Sequence, residues 1–205
     1  MKKCLIISGG DFSSLPVSIE YDYSIACDKG LEYATRLGIT PDLIIGDFDS
    51  YEGNIEKDAP NVSIYPSEKD DSDTMLAIKY ALSHGYTHLY IICALGGRMD
   101  HTIANIQSML YVASNNGICE IFSDFEHLIT FTGPSIILPK QEGYSLSLFS
   151  MSNVCKNVCI LGAGYDVENI DLTNTFPIGL SNYWVDDAVS ITMDSGIMLI
   201  SMSKF

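Results

Sequence analysis

Three aspartate-rich segments constrain this chain more than any other feature. They are Gly46-Asp47-Phe48-Asp49-Ser50, Asp70-Asp71-Ser72-Asp73-Thr74 and Gly96-Gly97-Arg98-Met99-Asp100-His101. Each follows, directly or after a short gap, a run of strand character. Residues 3–8, 23–27, 42–46, 61–65, 87–93 and 117–123 read as strands. Residues 29–37 read as a helix, with Leu31, Ala34 and Leu37 on one stripe and Gly38 as its stop. A second helix runs from a cap at Ser72 or Asp73 to about residue 84. A third runs from about residue 101 to 114, with Asp100 as its cap. Strand, helix, strand at this spacing predicts a mostly parallel sheet with flanking helices. Such a sheet binds ligands beyond the carboxyl ends of its strands, where the acidic segments fall.

Character changes after about residue 125. Short β-like runs at 128–131, 135–138, 145–149, 154–161, 189–193 and 197–202 are punctuated by Gly133-Pro134, Asn153 and Asp194-Ser195-Gly196. The last reads as a hairpin turn between two apolar strands. The expected fold is therefore α/β, a mostly parallel sheet with flanking helices, followed by a C-terminal all-β sandwich. The expected domains are residues 1–125 and 126–205.

Charge narrows the function. The 205 residues carry 11 basic and 26 acidic side chains, a net charge of −15. A nucleic acid needs a basic track and an anionic membrane a basic cluster, and neither exists here. No run of 18 apolar residues reads as a membrane span. Of the six cysteines, most lie in or at the end of apolar runs. They read as free thiols of a reducing compartment, which makes the expected location cytoplasmic.

The chemistry lies in the acidic segments. In an extended Gly46–Ser50 segment, Asp47 and Asp49 point to one side and Phe48 to the other. Two like charges that close call for a cation, and Mg²⁺ takes one or two carboxylates plus substrate phosphates. The plain alternative is a solvated turn. Asp71 and Asp73 sit where helix-dipole reasons alone favour acids, yet three carboxylates in four positions exceed what a cap requires. Lys69 can offset their charge or reach a phosphate, and the N–H groups around Ser72 and Thr74 can receive phosphate oxygens. Arg98 offers a fork for phosphate. Asp100 is a metal-ligand candidate, His101 a phosphate contact or an orienter of Asp100, and Asn105 faces the same way one turn on. Ser8-Gly9-Gly10-Asp11 is a weak phosphate-loop signal. Asp28 before Lys29-Gly30 is a helix cap, or else a ribose or metal contact. In the β part, Trp184 beside Ser181-Asn182 reads as a pocket wall for a flat heterocycle or as core, and Tyr165 as a second aromatic wall. The metal pool is Asp47, Asp49, Asp71, Asp73 and Asp100. Together these residues point to Mg²⁺-dependent phosphoryl or pyrophosphoryl chemistry, with Asp73 or Asp100 as candidate proton acceptor.

The motif series resembles the thiamine pyrophosphokinases of bacteria over nearly the whole chain. It comprises Ser8-Gly9-Gly10, Asp28-Lys29-Gly30, Pro41-Asp42 leading into Gly46–Ser50, Lys69–Asp73, Gly96–His101 with Asn105, and Gly179-Leu180-Ser181-Asn182. The resemblance implies pyrophosphoryl transfer from ATP to the hydroxyethyl oxygen of thiamine, giving thiamine diphosphate and AMP, with Mg²⁺. It also implies a homodimer with active sites at the subunit interface. ATP would sit mainly on the α/β domain and thiamine near the partner's β domain. Rival readings are a metal-dependent nucleotide phosphohydrolase and a non-catalytic module that senses a nucleotide or thiamine diphosphate.

Overall fold

The computed structural model describes residues 1–46, 61–64 and 70–205. Asp47, Asp49 and Lys69 lie outside them. Its contacts divide the chain into two compact units, Met1–Asp124 and Phe125–Phe205.

In the first unit the strands are β1 (Lys2–Ile7), β2 (Tyr23–Cys27), β3 (Leu43–Gly46), β4 (Val62–Ile64), β5 (Tyr86–Ile92) and β6 (Ile118–Phe122). They pair in the order β4-β3-β2-β1-β5-β6, and every pairing is parallel. Helices α1 (Gly30–Leu37), α2 (Asp73–Ser83) and α3 (Met99–Ser114) supply crossovers. β1 runs Cys4-Leu5-Ile6-Ile7 without a polar break because both of its faces are covered. Leu5 and Ile7 pack with Ala26, Ile92 and Ala34 of α1. By the strand's period of two, Cys4 and Ile6 point to the other face. Helix α2 packs along β1, β2, β3 and β5, and α3 along α2 and β6. The chain winds outward from β1 through β2, β3 and β4, then returns to place β5 on the free side of β1. The crevice between the carboxyl ends of β1 and β5 is thus the switch point at which such sheets take ligands.

Helix α2 starts as the sequence predicts: Ser72 is extended and its hydroxyl accepts from the Met75 N–H at 3.2 Å. Helix α3 does not. It begins at Met99 with Arg98 in the cap position and no side-chain cap bond, so Asp100 belongs to the first turn. Gly96 and Gly97, both at positive φ, complete the turn early enough for the helix to start ahead of Asp100.

The second unit contains β7 (Glu126–Phe131), β8 (Ser135–Pro139), β9 (Tyr144–Ser150), β10 (Val154–Leu161), β11 (Val167–Thr173), β12 (Ala188–Thr192) and β13 (Met198–Lys204). Antiparallel pairing joins β7-β13-β9 and β11-β10-β12-β8. Leu146, Leu148, Ile200 and Met202 of the first set share a core with Val158, Ile160, Val189 and Ile191 of the second. Both sets thus bury one face in the manner of a sandwich.

Two expectations change here. Asp194-Ser195-Gly196 is not a hairpin, because β12 pairs with β10 and β8 while β13 pairs with β7 and β9. The turn carries the chain between sheets and is pinned to β10 by Lys156 N–H donating to Ser195 C=O at 2.9 Å and Asp194 N–H to Lys156 C=O at 3.0 Å. Strand β11 escaped the sequence reading because Val-Glu-Asn-Ile-Asp-Leu-Thr is polar and Asn169, at φ +53°, breaks its alternation.

Gly196 tests this packing. It stands at φ +120°, and a Cβ there would come within 2.8 Å of Cys155 Cα and Val154 O. Gly143 at φ +78° has nothing within 4 Å of such an atom. Gly143→Ala should cost about 1 kcal/mol, the backbone cost alone, and Gly196→Ala about 2 kcal/mol or more in urea unfolding. Equal losses would contradict the assignment of a packing role to Gly196.

Candidate functional site

The switch-point crevice is built from backbone first. Beyond β1 and β5 the two chains remain joined: Ser8 N–H donates to Ile92 C=O at 3.0 Å, Gly10 N–H to Cys93 C=O at 2.7 Å, and Asp11 N–H to Leu95 C=O at 3.0 Å. Gly10 permits this approach, since a Cβ would lie 2.8 Å from the Cys93 and Leu95 carbonyl oxygens. Tyr33 of α1 donates to Gly10 C=O at 2.9 Å and fixes the loop from the other side. The Gly9-Gly10 loop and the Gly96-Gly97 turn therefore lie together, and Asp11 packs its carboxylate against the Gly96 Cα. The sequence signal for Asp11 is its place directly after two glycines.

The charged side chains are arranged in pairs. Arg98 places Nε 3.1 Å from Asp100 Oδ1 and Nη2 2.5 Å from Oδ2, and Asp100 also accepts from the His101 N–H at 3.0 Å. The Arg98 hydrogen bonds hold the Asp100 carboxyl below the ordinary carboxylate range. Both side chains are more than half exposed, 73% and 63%, so water screens the pair and other ligands can exchange with it. Asp71 receives Lys79 Nζ at 2.6 and 2.8 Å. That bond raises the Lys79 pKa. Asp73 follows the Ser72 cap in the first turn of α2, and its carbonyl accepts from the Cys27 thiol at 3.6 Å. Asp28 stands at φ +45° between β2 and α1, beside Gly46. Lys29 holds its ammonium 5.3 Å from the Tyr33 ring centroid.

Other candidates face inward. Thr74 is buried with its hydroxyl 2.6 Å from Ser8 Oγ. Asn105 is buried and its Nδ2 donates to Ala94 C=O at 2.7 Å, tying α3 to the exit of β5. These two residues brace the crevice instead of lining it.

The donor set suits a hard cation, since Asp71, Asp73 and Asp100 offer carboxylate oxygens at the ends of α2 and α3. Among the described residues, no group of three or more possible ligands is already assembled for a metal.

In the second unit, Asn182 is buried and fully engaged. Its Oδ1 accepts from Tyr165 N–H at 3.0 Å and Tyr183 N–H at 2.9 Å, and its Nδ2 donates to Tyr165 C=O at 3.0 Å. It clamps the 162–166 turn onto the 179–184 segment. Tyr165 and Tyr183 are left exposed with ring centroids 6.0 Å apart, edge to face. Ser181, at φ +60°, donates its N–H to Ser147 Oγ at 3.0 Å and keeps its side chain outward. Of the two readings of Trp184, pocket wall or core, the structure favours the core. Its ring is in the core and its indole N–H donates to Leu138 C=O at 3.0 Å. Tyr183, not Trp184, is the exposed aromatic of that segment.

Comparison with known proteins agrees with this geometry. The family description "Thiamin pyrophosphokinase, catalytic domain" matches residues 17–121, and "Thiamin pyrophosphokinase, vitamin B1 binding domain" matches residues 135–198. The thiamine pyrophosphokinase of Bacillus subtilis is 27% identical over 212 residues, covering 99% of each chain. The crystal structure of a thiamine pyrophosphokinase from Bacillus subtilis superposes with a TM-score of 0.89 at 26% identity, covering all of both chains. That of a thiamin pyrophosphokinase from Geobacillus thermodenitrificans shares the fold, with a TM-score of 0.85 at 22% identity over 99% of this chain and 98% of the other. With the two family domains in order along one chain, and an acidic crevice at the switch point of its parallel sheet, the protein belongs to the thiamin pyrophosphokinase family, enzymes that form thiamine diphosphate at the expense of ATP.

Proposed function

We infer that the acidic crevice at the carboxyl edge of the first unit is where ATP binds, and that the second unit supplies the surface for thiamine. The observation that carries this reading is the convergence of the Gly9-Gly10 loop with the Gly96-Gly97 turn, flanked by Asp71, Asp73, Arg98 and Asp100. Glycine backbone admits phosphate oxygens closely, and the first turns of α2 and α3 present N–H groups to them. Arg98 would exchange Asp100 for phosphate, leaving the carboxylate to a cation. His101 is exposed beside that pair and fits a phosphate contact. Asp28 at the end of β2 fits a ribose contact. Lys69 is a further candidate for phosphate.

Mg²⁺ fits the oxygen donors of the acidic segments, with Asp47, Asp49, Asp71, Asp73 and Asp100 as its proposed ligands. When bound it would neutralise triphosphate charge and draw electrons from the attacked phosphorus. The hydroxyethyl oxygen of thiamine forms a bond to the β-phosphorus and the bridge to the α-phosphate breaks. AMP leaves, and the alcohol proton passes to a carboxylate, Asp73 or Asp100. The chain's own task is alignment of the alcohol with that bridge. Tyr165 and Tyr183, with Ser181, offer an aromatic and polar surface suited to a cationic ring.

A homodimer is the proposed assembly. Residues 176–185 expose Phe176, Ile178, Leu180, Tyr183 and Val185 on one stretch of the second unit, an apolar surface of the kind that a second copy covers. The cytoplasm suits the buried thiols of Cys4, Cys27, Cys93, Cys119 and Cys155. No helix among the described residues is long and apolar enough to cross a membrane.

Incubation with ATP, Mg²⁺ and thiamine should yield AMP and thiamine diphosphate in equal amounts, and chelation should abolish turnover until Mg²⁺ is restored. ADP with thiamine monophosphate, or rapid ATP loss without thiamine, would contradict the reading. Arg98→Met should lower kcat/KM on the order of 100-fold or more, with a folded circular dichroism spectrum. Asp47→Asn and Asp49→Asn should do at least as much; full activity would remove those residues from the site.

A further inference from the structure

Ser8 and Thr74 are 66 residues apart in sequence, yet their hydroxyl oxygens lie 2.6 Å apart in the interior of the first unit. Ser8 is 4% exposed and Thr74 6%, so the two hydroxyls meet in the interior and not at the surface of the crevice. Ser8 ends the apolar run of β1 and immediately precedes Gly9-Gly10. Thr74 is the second residue of α2, directly after Asp73 and two after the Ser72 cap. Beside this bond, the Cys27 thiol at the end of β2 reaches the Asp73 carbonyl at 3.6 Å. Two neighbouring strands therefore grip the same turn of the same helix.

We propose that Ser8 and Thr74 are positioning residues for the reaction, their hydroxyl pair setting the depth and rotation of the first turn of α2 against the end of β1. The proposal rests on the assignment of ATP to this crevice. A hydrophobic contact can hold a helix on a sheet but is non-directional. A short hydroxyl pair fixes both distance and orientation. Successive helical residues differ in direction by about 100°, the angle of a 3.6-residue turn. Locking Thr74 inward therefore fixes where Asp73 and the neighbouring N–H groups present themselves to the polyphosphate. It also joins the phosphate-facing turn of α2 to the glycine loop through a single residue, Ser8. A displacement of about 1 Å in such a turn is enough to cost catalysis heavily.

The test separates positioning from stability. Ser8→Ala and Thr74→Val each leave one buried hydroxyl without its partner, whereas the double variant removes both. The single variants should lower the thermal midpoint, and the double variant should recover part of that loss. Catalysis should not recover: all three should lose about tenfold or more in kcat/KM for MgATP at saturating thiamine. KM for thiamine should be unchanged, and Thr74→Ser should return most of the activity. MgATP affinity, measured by calorimetry on the same proteins, should fall with kcat/KM. A double variant with wild-type kinetics would overturn the proposal while leaving the ATP assignment intact. A wild-type chain that neither binds MgATP nor turns over would overturn both.

Discussion

The pairing of β1 with β5 is the constraint on which the rest depends. These strands come from distant parts of the chain, yet they lie in parallel register from Lys3 opposite His88 to Ile7 opposite Ile92. Beyond the last paired residues the backbone bonds continue through Ser8, Gly10 and Asp11. A parallel pair normally opens at its switch point into a crevice. Here that crevice has a floor made of two glycine-bearing segments stitched together. Among the described residues, charged side chains hang from elements that meet this edge: Asp28 after β2, Asp71 and Asp73 at α2, and Arg98 and Asp100 at α3.

Electrostatics then sets the character of the floor. Asp100 is held by Arg98 and Asp71 by Lys79, both in exposed pairs. Such pairs contribute little to folding in water. They offset like charge along an acidic edge, with groups that can be exchanged. The interior does the opposite: Thr74, Asn105 and Asn182 spend their polar atoms on fixed partners and hold the surrounding loops in place.

Much of this was legible in the sequence, for identifiable reasons. The apolar run of β1 and the Ser72 cap each rest on local chemistry that tertiary packing did not override. The family resemblance was carried by motif order, which survives at 27% identity. What was not legible depended on distant partners. Thr74 read as part of a phosphate-receiving first turn and Asn105 as facing the same way as His101, and nothing local names Ser8 and the Ala94 carbonyl as their partners. Trp184 read equally as pocket wall or core, because a lone tryptophan beside Ser-Asn is ambiguous until Leu138 accepts its N–H. The turn at Asp194-Ser195-Gly196 misled because turn residues do not say which sheet the next strand joins. Asp100 misled as a cap because the positive φ of Gly96 and Gly97, which let α3 start early, is a permission and not a demand.

The central claim is that polyphosphate lies on the stitched floor between β1 and β5. Hydrogen–deuterium exchange with and without a non-hydrolysable ATP analogue and Mg²⁺ tests it most directly. Protection should appear together in residues 9–11, 72–75 and 96–101 and leave the amides of β12 and β13 unchanged. Protection confined to the second unit, or absent from all three segments at saturating analogue, would contradict the account.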